Sequence, residues 1–85
     1  MTDDPVLSKI STIIRDVLDE PSLDITLQTT AADVEKWDSF NHINITVAIE
    51  MAFGIKFKTA EVEELRNVGE LVALTEKKLA AKKSR

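Results

Sequence analysis

The sequence predicts an all-α fold: a four-helix bundle of three longer helices and one short one, with a long loop between the first two. Three observations predict it. Apolar residues recur at helical spacing in three separate stretches. Stop and start signals (Pro21, Gly54, and Asn67 followed three residues later by Glu70) divide those stretches. Only one segment, Leu23-Ile25-Leu27, alternates as a strand would, and no second strand exists to pair with it.

The first helix is expected over residues 4–19. Asp4 suits the N-cap and Pro5 the first helical position, while Val6, Ile10, Ile13, Ile14 and Val17 make one apolar face. Pro21 stops it and Ser22 opens a loop. The segment from Glu20 to Lys36 is long for a connection in so small a chain, a length that marks either a functional loop or a packed crossover. Leu23, Ile25, Leu27 and Val34 are its expected anchors.

Helix two is expected from Ser39 to Phe53, capped by Asp38 or Ser39, which puts its free N–H groups and positive dipole end near the serine. At 100° per residue, Ile45, Ile49, Ala52 and Phe53 fall on one stripe. Phe40, Ile43, Val47 and Met51 fall on the other side. Two stripes mean either a central helix buried on both sides or a helix that keeps one side for a partner. A chain of 85 residues favours the second, because a domain this small buries only about 60% of its unfolded surface. Gly54 ends the helix, with Ile55 supplying the apolar contact that accompanies such an end. Residues 59–65 form a short third helix with Val62 and Leu65 inward. The last helix starts at the Asn67–Glu70 capping box, with Val68, Leu71, Val72, Thr75 and Leu79 as its inner face. Residues 77–85, which carry Lys77, Lys78, Lys82, Lys83 and Arg85, read as a frayed basic tail of a single domain spanning 1–85.

Composition removes several function classes. There is no cysteine, so no thiolate metal site, disulfide or cysteine nucleophile, and the single histidine, His42, rules out a histidine-rich metal site. The formal net charge is -4, with nine acids against three bases in residues 1–38. That balance argues against nucleic acid, whose phosphates call for cations, and suits protein partners. No apolar run approaches the roughly 20 residues of a membrane span, and no signal peptide is visible, so a cytoplasmic monomer is expected. Ser39 and His42 lie three apart, but no third group orients the histidine and no oxyanion pocket is evident, so a hydrolase reading is weak and His42 reads as a partner contact or surface residue. Trp37 is expected to pack beneath the loop. On residue type alone, Ser39 is most simply a helix cap.

Asp38-Ser39-Phe40, followed by Ile43, Ile45, Ile49, Glu50 and Phe53-Gly54-Ile55, resembles the acyl carrier protein family, and the resemblance covers nearly the whole chain. It implies a bundle of acyl-carrier type and a function that is not catalysis. Ser39, with Asp38 beside it, would carry 4′-phosphopantetheine transferred from coenzyme A by a phosphopantetheinyl transferase. Acyl or aminoacyl groups would ride as thioesters on that arm, supplied by a loading ligase or acyltransferase and used by downstream enzymes. Phe40, Ile43, Asn44, Val47, Glu50 and Met51 would form the partner surface, and Ile45, Ile49, Phe53 and Leu65 would shelter the acyl chain. The sequence departs from the family pattern at Phe40, Lys36 and Trp37, and places Asn41, His42 and Asn44 where acids are usual. Those departures point to a specialised carrier for a lipid, polyketide or nonribosomal peptide pathway. The rival expectation is a noncovalent helical adaptor that binds through the Phe40–Met51 face.

Overall fold

The structure, a computed structural model, describes residues 5–83. Four helices run in the order α1 (Pro5–Leu18), α2 (Ser39–Phe53), α3 (Thr59–Glu63) and α4 (Val68–Lys83), with one 3₁₀ turn at Ala31–Asp33 in the long loop. Among the described residues there is no strand, as the unpaired Leu23–Leu27 segment requires. Asp4, the expected cap of α1, lies outside the described residues.

α1 packs against both α2 and α4. Ile10, Ile14 and Leu18 of α1, Ile45 and Ile49 of α2, and Val68, Leu71 and Val72 of α4 are buried together. Ile13, Val17 and Leu79 pack against this core half-buried. The fully buried hydroxyl of Thr75 donates to the Leu71 carbonyl at 2.8 Å, so the core leaves no polar group orphaned there.

The helix ends follow local chemistry. α1 stops before Pro21 can act, because Asp19 turns left-handed at φ 57°. The Asp19 amide then donates to Asp16 and the Glu20 amide to Arg15, closing the end of the helix on itself. Gly54 does the same for α2 at φ 68°, with the Ile55 amide on the Glu50 carbonyl and Ile55 buried. At the start of α4, Asn67 Oδ1 accepts from the Glu70 amide at 2.8 Å, while the Glu70 carboxylate accepts from Arg66 rather than from Asn67 itself.

The long loop is anchored differently from the sequence expectation. Ile25 and Val34 are buried and Leu23 is half-buried, but Leu27 is 41% exposed. Its backbone does the anchoring: the Leu27 carbonyl accepts from the Gly69 amide and the Thr29 carbonyl from the Val68 amide, both at 2.8 Å. These carbonyls satisfy the free amides at the start of α4, so the side chain is released to the surface. Arg15 Nε ties the other end of the loop to α1 through the Leu23 carbonyl at 2.7 Å.

Of the tail expected over 77–85, residues 84 and 85 lie outside the described residues. α4 continues through Lys83. Lys78 pairs with Glu61 of α3 at 2.9 Å, and Lys82 Nζ donates to the Phe53 carbonyl at the end of α2 at 3.2 Å. Lys78 thus reaches the first turn of α3, and Lys82 meets the last turn of α2, where a cation suits the negative end of the helix dipole.

Candidate functional site

The site is the junction where the long loop enters α2. A capping box at Thr30 and Asp33 holds the 3₁₀ turn, and the buried Val34 and Trp37 hold the chain that follows against the core. Asn41 Nδ2 donates to the Lys36 carbonyl at 2.8 Å, tying the last loop residue group to the first turn of the helix. The backbone therefore arrives at Asp38-Ser39 in one fixed direction.

Asp38 is the cap. It is extended, at φ -100° and ψ -175°, and its Oδ1 accepts from the Asn41 amide at 2.9 Å, while its carbonyl takes the first helical hydrogen bond from His42. This corrects the simplest reading of Ser39 as a cap. Ser39 is the first helical residue, it is exposed, and its hydroxyl makes no hydrogen bond to the described residues. A helix start is a favourable place for an anionic substituent, because unpaired N–H groups and the positive dipole end meet there.

His42 is not a plain surface residue. It is half-buried, and its ring links three segments. The Trp37 indole Nε1–H donates to His42 Nδ1 at 3.0 Å, and His42 Nε2 lies 3.1 Å from the Val62 carbonyl of α3. Since Nδ1 accepts from an indole that can only donate, the proton sits on Nε2, which donates to Val62. Both ring nitrogens are thus occupied, and no free base faces Ser39; the weak Ser–His hydrolase reading fails on this geometry. Sequence reasoning missed this bridge. Its signal was present: a tryptophan expected to be buried needs a partner for its N–H, and His42 was the nearby polar ring.

The expected partner residues divide. Phe40 is 74% and Met51 80% exposed, and Ile43 and Val47 are exposed between them, a continuous apolar stripe with Asn44 exposed alongside. The opposite side of α2 is closed: Ile45 and Ile49 are 0% exposed, and Phe53 packs half-buried against them. The alternative of a helix buried on both sides does not hold. Ala52, grouped with the inner stripe by periodicity, is exposed. Glu50 is turned to its own chain, where its carboxylate accepts from the Phe57 amide at 2.7 Å.

An open groove of about 600 Å³ lies beside Ser39, between the start of α2 and α3, and Trp37, His42, Ile43, Val62 and Leu65 form its walls. A serine hydroxyl at its rim, unused by the fold, fits a long flexible substituent that reaches away from the surface. A larger hollow of about 740 Å³ between α3 and α4 is walled by charged side chains such as Glu61, Glu64 and Lys77 and lies away from Ser39. The Glu61 carboxyl there is held below its ordinary value, first by the hydrogen bond from the Lys58 amide and then by Lys78. Among the described residues no cluster of three or more metal-ligating side chains occurs, and no helix is long and apolar enough to cross a membrane.

Comparison with known proteins agrees with this geometry. A family model described as a phosphopantetheine attachment site matches residues 8–75. An acyl carrier protein of Petrotoga mobilis is 32% identical over 79 residues, 93% of each chain. One from Streptococcus pyogenes serotype M3 is 37% identical over 73 residues, covering 86% of this chain and 95% of that one. The solution structure of a holo acyl carrier protein from Geobacter metallireducens superposes with a TM-score of 0.88 at 40% identity, over 96% of this chain and 94% of that chain. The family works by carrying a covalently attached 4′-phosphopantetheine group and not by catalysis, and this chain belongs to it: it is a member of the acyl carrier protein family.

Proposed function

We propose that Ser39 is the attachment point of the 4′-phosphopantetheine group, and that the protein shuttles acyl or aminoacyl groups between partner enzymes. The observation that carries this reading is the division of labour at the helix start: Asp38 does the capping, and the Ser39 hydroxyl is exposed and unengaged. The group supplies a thiol, which a chain without cysteine lacks, and holds acyl groups as thioesters. Asp38 fixes the first turn of α2 so that the serine faces outward, and the buried Trp37 keeps the preceding loop from shifting.

The exposed stripe of Phe40, Ile43, Val47 and Met51, with Asn44, is the surface that partners grip. Those partners are a phosphopantetheinyl transferase, a loading ligase or acyltransferase, and the enzymes that use the acyl group. Along this stripe Asn41 and Asn44 are neutral and Glu50 is engaged with Phe57, so docking rests on apolar contact more than on charge steering. That property supports a specialised carrier with its own loading enzyme, acting as a cytoplasmic monomer. The adaptor reading shares the stripe but leaves the unengaged serine without a role.

Peptide mapping after incubation with coenzyme A and a broad-specificity phosphopantetheinyl transferase tests the proposal. The group is expected on the peptide that contains Ser39; its appearance on another residue would contradict the assignment.

A further inference from the structure

The three residues before Ser39 are folded onto the first turn of α2 by Asn41 and His42. Asn41 Nδ2 donates to the Lys36 carbonyl, the Asn41 amide to the Asp38 carboxylate and the His42 amide to the Asp38 carbonyl. The remaining tie runs from the Trp37 indole Nε1–H to His42 Nδ1 at 3.0 Å. Trp37 stands two positions before the serine and is 7% exposed.

Of these four ties, only the last depends on the charge of an imidazole. A neutral His42 has one acceptor and one donor, and the fold uses both, the donor on the Val62 carbonyl of α3. An imidazolium has two donors and no acceptor. Its Nδ1–H would point at the indole N–H, so the Trp37 bond is lost while the Nε2–H bond to Val62 persists. An unpaired indole N–H in so buried a place is costly, and the cost is relieved when the indole leaves its seat. The segment that ends at Ser39 then loses its buried anchor. The ionisable side chains lining the spaces beside the ring are Asp38 at the cap, Glu63 of α3 and Arg66 after α3, while α4 offers only the apolar Leu71 there. The Asp38 carboxylate is committed to the Asn41 amide, and among the described residues the ring forms no ion pair with a carboxylate. No partner is therefore in place to offset the lost indole bond.

We propose that His42, acting through Trp37, is a positioning residue for Ser39: the neutral imidazole holds the segment that presents the serine for modification, and the imidazolium releases it. This rests on Ser39 as the attachment point. In that modification a bond forms between Ser39 Oγ and the pantetheine-bearing phosphorus of coenzyme A. The P–O bond to the adenosine portion breaks, adenosine 3′,5′-bisphosphate leaves, and the hydroxyl proton passes through the transferase to solvent.

The test uses the full chain at about pH 7.5 and 5.5, near the two ends of the range in which histidine changes charge. Two quantities are read: acrylamide quenching of the fluorescence of Trp37, the single tryptophan, and the initial rate of mass gain with coenzyme A and a phosphopantetheinyl transferase. Circular dichroism follows the helices. Wild-type quenching is expected to rise several-fold on acidification with helical content unchanged. His42→Gln keeps an acceptor and a donor but takes no proton in this range, and its quenching is expected to stay flat. The ratio of wild-type to His42→Gln rates cancels the transferase's own pH dependence. That ratio is expected to be near one at neutral pH and to fall several-fold in acid. Trp37→Phe has no indole bond to lose, so the wild type is expected to be modified several-fold faster than this variant at neutral pH and at about the same rate in acid. That comparison decides if His42→Gln fails to fold, and the wild-type quenching decides if both variants fail. Wild-type quenching that does not change with pH overturns the inference, as does a rise shared by His42→Gln. Rate ratios that stay constant with pH also overturn it and leave the attachment at Ser39 standing. A wild type that gains no mass at neutral pH contradicts the attachment, and the inference with it.

Discussion

Removing the Asp38 carboxylate takes away the acceptor of the Asn41 amide, so Asp38→Ala is expected to cost about 1 kcal/mol of stability. Ser39→Ala removes a hydroxyl that makes no hydrogen bond to the described residues, and it is expected to change stability by less than about 0.5 kcal/mol. Chemical denaturation of the two variants beside the wild type checks this; equal losses would mean that Ser39 shares the cap. Gly69→Ala offers a second contrast. In an open helix this change gains up to about 1 kcal/mol. Here an added Cβ would lie 2.9 Å from the Leu27 carbonyl, the same oxygen that accepts from the Gly69 amide. The variant is therefore expected to lose about 1 kcal/mol or more, read from its denaturation midpoint. At this scale the sequence is only partly legible. Asp38 and Ser39 are both good caps by residue type, and only the backbone geometry says which one caps. His42 and Leu27 are misread for a related reason: their roles depend on a tertiary partner, Val62 for one and the start of α4 for the other.

The two stripes of α2 are an element-scale property, and periodicity separates them except at Ala52, which is exposed, because one helix can turn only one side to a core this thin. Introducing a charge on the outer stripe, as Val47→Glu or Met51→Glu, is expected to leave the helical content and melting temperature near wild type while slowing modification by the transferase. Unfolding of either variant would show that the stripe is part of the core. α3 makes a prediction with pH. Its Glu61 is held below the ordinary carboxyl value of 4.5 by the Lys58 amide and Lys78. A lowered carboxyl contributes stability above its unfolded value and loses it as acid protonates the folded form. The gap between the wild type and Glu61→Gln is expected to be present at neutral pH and to close on acidification below that ordinary range, as followed by thermal melts across pH. A gap that persists in acid would contradict this origin. The sequence marks α3 only as a short helix, because its ties to the bundle, the Val62 carbonyl to His42 of α2 and Glu61 to Lys78 of α4, are tertiary contacts that no local pattern encodes.

For the whole molecule, the all-α bundle was legible because each boundary carries its own chemistry: Gly54 in a left-handed turn, Asn67 at a cap, and an inner face on α4 that the core fills as spaced. The long loop was legible in extent but not in purpose, since its main bonds to α4 run through backbone carbonyls. The result is a small helical scaffold that presents, at the head of a helix with an exposed outer stripe, a hydroxyl that makes no hydrogen bond to the described residues. The measurement that tests this most directly is the intact mass of the wild type and Ser39→Ala after incubation with coenzyme A and a broad-specificity phosphopantetheinyl transferase, with the fold of both confirmed by circular dichroism. The account predicts a gain of one phosphopantetheine in the wild type and none in a fully folded Ser39→Ala. A folded Ser39→Ala that still gains the group would contradict it.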